Sequence, residues 1–281
     1  AAGAVNVVLN LFFVIQLGLG VDGGGWATVI SECVSAGLII RSLMKARGAM
    51  KLHLSKLRVV PEKLKQIIRI GLPAGMQGAI FSISNVLIQS SVNSFGSIAM
   101  AGNTSSANIE GFVYTAMNAV YQTSLSFTSQ NYGAGKMDRV TKILLDCLGL
   151  VVLVGVVMGG GAVLLGPKLL QIYSSDPEVI SYGMMRMRII NGSYFLCGIM
   201  DTMVGGLRGL GYSVVPMLVS LTGACLFRVV WIFSVFAMHR TVTTLYLSYP
   251  VSWIITFTAH IICYIVIRRR MAARRKSRDE I

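Results

Sequence analysis

Apolar runs long enough to cross a bilayer recur about eight times along this 281-residue chain, and nearly all of the charge lies between them. A membrane-spanning helix needs ~20 predominantly apolar residues. Such runs fall near residues 1–19, 24–44, 68–93, 97–128, 140–165, 179–206, 213–237 and 245–267. The positive charge is concentrated in every second gap. Residues 45–69 carry Lys45, Arg47, Lys51, Lys56, Arg58, Lys63, Lys65 and Arg69; Lys136, Arg139 and Lys142 follow the fourth run; the tail carries Arg268, Arg269, Arg270, Arg274, Arg275, Lys276 and Arg278. The alternate gaps are poor in Lys and Arg. Short basic loops stay on the cytoplasmic side, so the pattern predicts an all-α, polytopic helical membrane protein with about eight transmembrane helices. It sits in the cell membrane with both chain ends cytoplasmic.

Composition removes other classes. Hydrophobic residues make up 54% of the chain and charged residues 13%, against about 25% charged in an ordinary soluble domain. The formal net charge of +14 belongs to the gaps, where it sets orientation and meets anionic lipid; nucleic acid is not an expected partner. Cys33, Cys147, Cys197, Cys225 and Cys263 lie one per span without a CxxC pair, and His53, His239 and His260 are isolated. Neither a disulfide framework nor a zinc site is expected. No nucleophile–base or metal constellation appears, so no enzyme and no cofactor are expected. The chain opens on Ala1 inside an apolar run with no basic stretch before it, which does not read as a signal peptide.

The basic segment 45–67 is the one strong shift in composition. It reads as a cytoplasmic linker, carrying a short amphipathic helix on the inner leaflet, between a two-span piece (1–44) and a six-span piece (68–267); a basic tail (268–281) follows. Residues 4–44 resemble a degenerate copy of 213–267, with Asn10 and Arg228 at comparable places, the faint internal symmetry that transporter repeats leave. A complete second half needs six spans, so about four are expected upstream.

Function is argued from polar residues inside the spans, where backbone groups are already satisfied by their own helix. Gly71, Gly75, Gly78, Ser82, Asn85 and Gln89 recur at helical spacing in the third span, and Gln77 lies beside them. Thr104, Asn108, Gly111, Thr115, Asn118 and Gln122 do the same in the fourth, with Asn103, Glu110, Tyr114 and Tyr121 on the adjacent face. Asn191, Tyr194, Gly198, Asp201, Gly205 and Arg208 form a third stripe. Single amides of this kind serve as interhelical glue; three stripes turned toward one another line a pathway for polar solutes. The substrate-pathway candidates are therefore Gln77, Asn85, Gln89, Asn108, Tyr114, Asn118, Gln122 and Arg228. Glu110 and Asp201 are the ion-coupling candidates, because a membrane-embedded acid costs ~2.5–3.5 kcal/mol on insertion scales and marks ion or proton routes. A buried ion pair with Arg228 is the competing reading. Arg186 and Arg188 are read as snorkelling from outer turns.

Two loops imitate nucleotide motifs. Gln130-Asn131-Tyr132-Gly133-Ala134-Gly135-Lys136-Met137 lacks both the first glycine and the closing Ser or Thr of a phosphate loop, and Gly206-Leu207-Arg208-Gly209-Leu210-Gly211 has the wrong glycine order for a dinucleotide turn. Both are expected to be tight turns.

These loops, together with Gly71-Leu72-Pro73-Ala74-Gly75, Asn108-Ile109-Glu110-Gly111-Phe112 and Gly20-Val21-Asp22-Gly23-Gly24-Gly25-Trp26-Ala27-Thr28, resemble segments of the multidrug and toxic compound extrusion (MATE) family, in that family's order. The resemblance implies twelve helices in two six-helix lobes that open alternately to each side. It places 1–44 as the last two helices of the N-lobe and 68–267 as the C-lobe, with N-lobe helices 1–4, including an acid in the first, outside this chain. It implies export of organic, often cationic, small molecules across the cytoplasmic membrane, coupled to proton or sodium entry. Some sodium-coupled members carry an acid in the helix that here runs from Gly71 to Asn93. This chain has only Gln77, Asn85 and Gln89 there, leaving Glu110 and Asp201 to take that part. The alternative is a flippase of related architecture moving lipid-linked or oligosaccharide substrates, which would use a cationic cavity built on Arg208 and Arg228.

Overall fold

The computed structural model describes residues 2–48 and 51–279 and is helical almost throughout. It divides into two compact units, Ala1–Lys63 and Leu64–Ile281.

In the first unit, α1 (Ala2–Asn10) continues into a six-residue π segment, Leu11–Gln16, and the chain turns into α2 (Gly20–Lys45). The two helices are joined by an Asn6 amide that donates to Ser31 Oγ at 3.2 Å. Gly24 lets α2 approach the Asn10 side chain, which itself donates back to Asn6. The expected amphipathic linker helix is absent among the described residues. A single 3₁₀ turn at Leu54–Lys56 is followed by extended chain. Helix α3 (Pro61–Asn93) then starts several residues before the predicted span. Pro61 supplies a favourable first-turn residue, and the basic stretch Lys63–Arg69 winds directly into the membrane helix instead of forming an element of its own.

The second unit holds the core. After α3 come α4 (Ser97–Gly133), α5 (Met137–Leu164), the short α6 (Gly166–Gln171), α7 (Pro177–Ile189) and α8 (Tyr194–Gly209). The last two spans are α9 (Val214–Ser220), a π segment Leu221–Leu226, α10 (Phe227–Phe233) and α11 (Val235–Met238), and then α12 (Val242–Asp279). The local signals are plain. Asp176 caps α7 by accepting from Glu178 N at 2.8 Å, with Pro177 at the first helical position. The two glycine-rich loops are the C-terminal ends of α4 and α8. Gly135 (φ +72°) and Gly211 (φ +87°) take the left-handed conformation, and Lys136 N→Asn131 O and Tyr212 N→Leu207 O close the Schellman bonds.

Among the described residues, five helices are long and apolar enough to cross a membrane: Gly20–Lys45, Pro61–Asn93, Met137–Leu164, Val214–Met238 and Val242–Ala273. The other three predicted spans are also helical. The first is short, Ala2–Gln16. The fourth (α4) and sixth (α7 with α8) lose mean hydropathy to their polar stripes.

Small residues set the packing, as expected where lipid offers no hydrophobic drive for helices to associate. On α8, Gly198 meets Met117 and Val151, Gly205 meets the Tyr121 backbone, and Gly209 meets Thr128. Ser124 Oγ donates to the Thr202 carbonyl in the same seam. Where α4 crosses α7, Gly102 lies against the Val179 carbonyl and Gly183. Gly155 of α5 lies against Phe195. Around these crossings sits an apolar core that includes Met117, Val151, Met187, Ile190, Met200, Leu245 and Tyr246. Helix α3 joins this core near its C-terminal end, through Ile88 and Val92; its other buried residues are Pro73, Gln77 and Ser84.

Candidate functional site

Because α3 stands off from α4 and α8, a cavity of about 570 Å³ opens between them. It lies wholly in the second unit. Helix α3 lines it with Gln77, Asn85 and Gln89, α4 with Asn103, Glu110, Tyr114, Asn118 and Tyr121, and α8 with Asp201 and Arg208. Arg186 of α7, Arg228 of α10, and Tyr249 and Trp253 of α12 complete the wall.

Of the predicted site residues, the structure brings Gln77, Asn85, Gln89, Glu110, Tyr114, Asn118, Asp201 and Arg228 to this one cavity. Asn108 and Gln122 are not among them; both are exposed on another side of α4. The fourth helix carries two polar stripes one residue apart, or about 100° around the axis. The stripe facing the cavity is Asn103, Glu110, Tyr114, Asn118 and Tyr121, and Asn118 belongs to both.

Arg186 is the main difference from the sequence reading. Instead of snorkelling it is 6% exposed. The crossing at Gly102 and Gly183 brings α7 against α4 and carries Arg186 inward. Its NH2 meets Glu110 Oε2 at 2.5 Å and its NH1 donates to Asn103 Oδ1 at 2.8 Å. Asn103 Oδ1 also accepts from Tyr246 OH, and the Asn103 amide donates to Gln89 Oε1 at 2.9 Å. The guanidinium lies 5.7 Å and 5.8 Å from the ring centroids of Tyr246 and Tyr249. Glu110 is thus one half of a buried, hydrogen-bonded ion pair, and its partner is Arg186, not Arg228. It is the one ion pair found among the described residues.

At the other end of the cavity Arg208 donates to Tyr121 OH and Gln77 Oε1, both at 2.8 Å. The Arg208–Gln77 bond and the Gln89–Asn103 bond are the polar ties that hold α3 to α8 and α4 at the cavity. Beyond the cavity, Ser213 Oγ adds a bond to the Ile70 carbonyl.

Asp201 differs from Glu110. It lines the cavity half-buried, with neither a salt bridge nor a side-chain hydrogen bond among the described residues. Arg228 is 3% exposed. Its Nε donates to Ser252 Oγ at 2.9 Å, and its guanidinium stacks 4.2 Å from the Tyr249 centroid. The π segment Leu221–Leu226 sets the register that delivers it, and Gly223 lets that segment lie against Thr256; such segments recur at functional sites. The first unit also has a π segment, Leu11–Gln16, but Asn10 precedes it whereas Arg228 follows its own, so the two residues do not hold the comparable places expected from the sequence. Apart from Arg208 and Arg228, both already picked out in the sequence, the residues that sequence reasoning passed over here are Arg186, Tyr249 and Trp253. Their signal was present as a charge two turns inside a span and as aromatics at helical spacing on α12.

This arrangement can hold an organic molecule between apolar and polar walls, and it can bind a small cation at an unpaired acid. The described residues contain no His/Cys/Asp/Glu group able to hold a metal ion.

Relatives in sequence are described as multidrug resistance or multidrug export proteins. The chain is 26% identical over 204 residues to the "Probable multidrug resistance protein NorM" of Thermotoga maritima, covering 72% of this chain and 43% of that one. It is 20% identical to the "Multidrug export protein MepA" of Staphylococcus saprophyticus, covering 75% and 47%. The chain therefore spans a little under half the length of these curated relatives. Among solved structures, a mutant of the Vibrio cholerae MATE transporter VcmN superposes with a TM-score of 0.85 at 19% identity, over 96% of this chain and 61% of that one. A MOP superfamily transporter from Pyrococcus furiosus, described by a reversed polarity of its binding pocket, superposes with a TM-score of 0.84 at 19% identity, covering 97% and 61%. The MatE family model matches residues 73–234, more than half of the chain, and with the helical fold and the lined cavity this makes the chain a multi-pass membrane protein of the MatE family.

Proposed function

We propose that this chain carries the substrate cavity of an ion-coupled secondary exporter of small organic molecules in the cytoplasmic membrane. Residues 1–44 would belong to one lobe and 68–267 to the other, with the basic linker and tail on the cytoplasmic side. The observation that carries this reading is the cavity itself: polar and aromatic side chains from six helices surround one space, and an unpaired carboxylate stands in its wall. The names of the relatives support export as the direction of transport.

Asp201 is the ion-coupling residue in this proposal. A coupling acid must exchange its partner during the cycle, and an acid locked to an arginine cannot do so cheaply. Glu110 is locked to Arg186; Asp201 is not. Occupation of Asp201 by a proton or a sodium ion shifts the conformational balance only by the difference in its affinity for the two states.

A flippase-like reading is favoured by one observation, the two arginines that face the cavity without a carboxylate partner. Transport separates the two readings. Proteoliposomes with an imposed proton or sodium gradient should accumulate organic dyes only when the gradient is present. Lipid translocation with no gradient-driven dye movement would replace the exporter reading with the flippase.

A further inference from the structure

The cavity wall contains three arginines and two carboxylates. Arg186 and Glu110 neutralise one another. That leaves Arg208 and Arg228 against Asp201 alone, a cavity that stays positive even when Asp201 is ionised.

Neither arginine meets a carboxylate among the described residues. Arg208 donates only to the neutral oxygens of Tyr121 and Gln77, and its Nε is buried without a partner. Arg228 is more confined. At 3% exposure it makes one hydrogen bond, Nε to Ser252, so its terminal nitrogens have no acceptor among the described residues although the residue lines the cavity. Tyr249 and Trp253 lie at 4.2 Å and 5.8 Å from the guanidinium carbon. Stacking on these rings stabilises the cation and orients the planar fork without using its outer N–H groups. Arginine does not escape its burial cost by losing a proton. A desolvated guanidinium with a free fork is therefore organised for an acceptor that arrives from outside, and the fork matches a carboxylate, sulfonate or phosphate.

We propose that Arg228, with Arg208 as the second positive charge, forms an anion subsite, and that the preferred substrate is an amphipathic organic anion. The acidic group sits on the Arg228 fork, and the apolar body lies against Phe81, Met200, Val204 and Trp253, which line the same space. The inference rests on the reading of this cavity as the transport site and refines its substrate class. The resemblance alone implies organic, often cationic, substrates.

Two xanthene dyes of similar shape and opposite charge test it: sulforhodamine B, net negative, and rhodamine 6G, positive. Binding is followed by fluorescence anisotropy with the full chain in phosphatidylcholine nanodiscs, corrected with empty discs. The expected result is sulforhodamine B bound about tenfold more tightly than rhodamine 6G. Arg228→Gln should weaken the anion about tenfold or more and leave the cation unchanged, while Arg228→Lys recovers much of the loss because it keeps the charge. Arg208→Gln should weaken the anion by a smaller factor. If Arg228→Gln does not fold, the dye preference of the unsubstituted protein and Arg208→Gln decide. Preference for rhodamine 6G, or anion affinity unmoved by both glutamine variants in folded protein, overturns the subsite. Displacement of bound sulforhodamine B by short-chain phosphatidic acid would assign the anion to a lipid phosphate, and no displacement would assign it to a free organic acid. Gradient-driven movement of rhodamine 6G without sulforhodamine B would sink the subsite and leave the exporter reading standing. Anion binding without any gradient-driven transport would do the reverse.

Discussion

Arg186 NH2 and Glu110 Oε2 stand 2.5 Å apart, with side chains 8% and 14% exposed, and they join α7 to α4 beside the cavity. In the proposal above, the pair makes Glu110, an acid that sequence alone nominates for ion exchange, a structural element. Removing one partner of a buried pair leaves an uncompensated charge and costs about 3–5 kcal/mol. Glu110→Gln should therefore lower thermal stability markedly in detergent, and adding Arg186→Gln should recover a good part of the loss, because neighbouring sites couple. Additive losses would show that the two side chains do not depend on each other.

Asp201→Asn should act in the opposite sense on stability. The acid has no ion-pair partner among the described residues, so neutralising it removes an insertion cost of ~2.5–3.5 kcal/mol at most, and the protein should be as stable as before or more so. Transport should uncouple: efflux from vesicles should stop responding to an imposed proton or sodium gradient. An unchanged response in a well-inserted variant would exclude Asp201 as the coupling group.

The ties of α3 predict local loosening. Gln77 accepts from Arg208, and a hydrogen bond to a charged group contributes about 1.5–3 kcal/mol. Gln77→Ala should raise amide hydrogen exchange along α3 by roughly ten- to a hundredfold while α4 and α8 stay protected. Uniform exchange across all three helices would mean that α3 does not open separately.

The glycine crossings predict a contrast between two small substitutions. A methyl group at Gly102 would lie 2.6 Å from the Val179 carbonyl oxygen and 2.9 Å from Gly183 N, with rigid backbone on the other side. Gly102→Ala should cost about 1–3 kcal/mol through overpacking and should disturb the Asn103–Arg186 contact next to it. Gly78 has no atom within 4 Å of the same position, so Gly78→Ala should leave thermal stability nearly unchanged. Equal effects at the two sites would argue against the α4–α7 crossing described above.

Much of this was legible in the chain because membrane physics is restrictive. Apolar run length predicted the helices, and loop chemistry predicted tight turns where the structure has the Schellman ends at Gly135 and Gly211. Polar residues picked out in the third and sixth spans, Gln77, Asn85, Gln89 and Asp201, fall on one cavity. Position around a helix was harder. On α4, Asn108 and Asn103 are equally polar, and only the close approach at Gly102 decides which one faces Arg186. Arg186 was misread because two turns of depth in a single helix look like an outer position; burial came from a neighbouring helix that the local pattern does not encode. The linker helix failed for a related reason: its basic residues joined the start of α3, where Pro61 had already begun a helix.

The π segment Leu221–Leu226 carries one more consequence. A wide turn of this kind adds one residue to the count without adding a step to the ordinary helix, so everything after it is rotated by about 100° relative to an uninterrupted spiral. Winding the same residues as an uninterrupted α-helix would swing Arg228 off Tyr249 and take its charge out of the pocket, whereas deleting one residue of the segment would restore regular winding and leave Arg228 in place. The electrical sign of this chamber is thus written partly in spacing, and a comparison that scores only which amino acids are present would miss such a change.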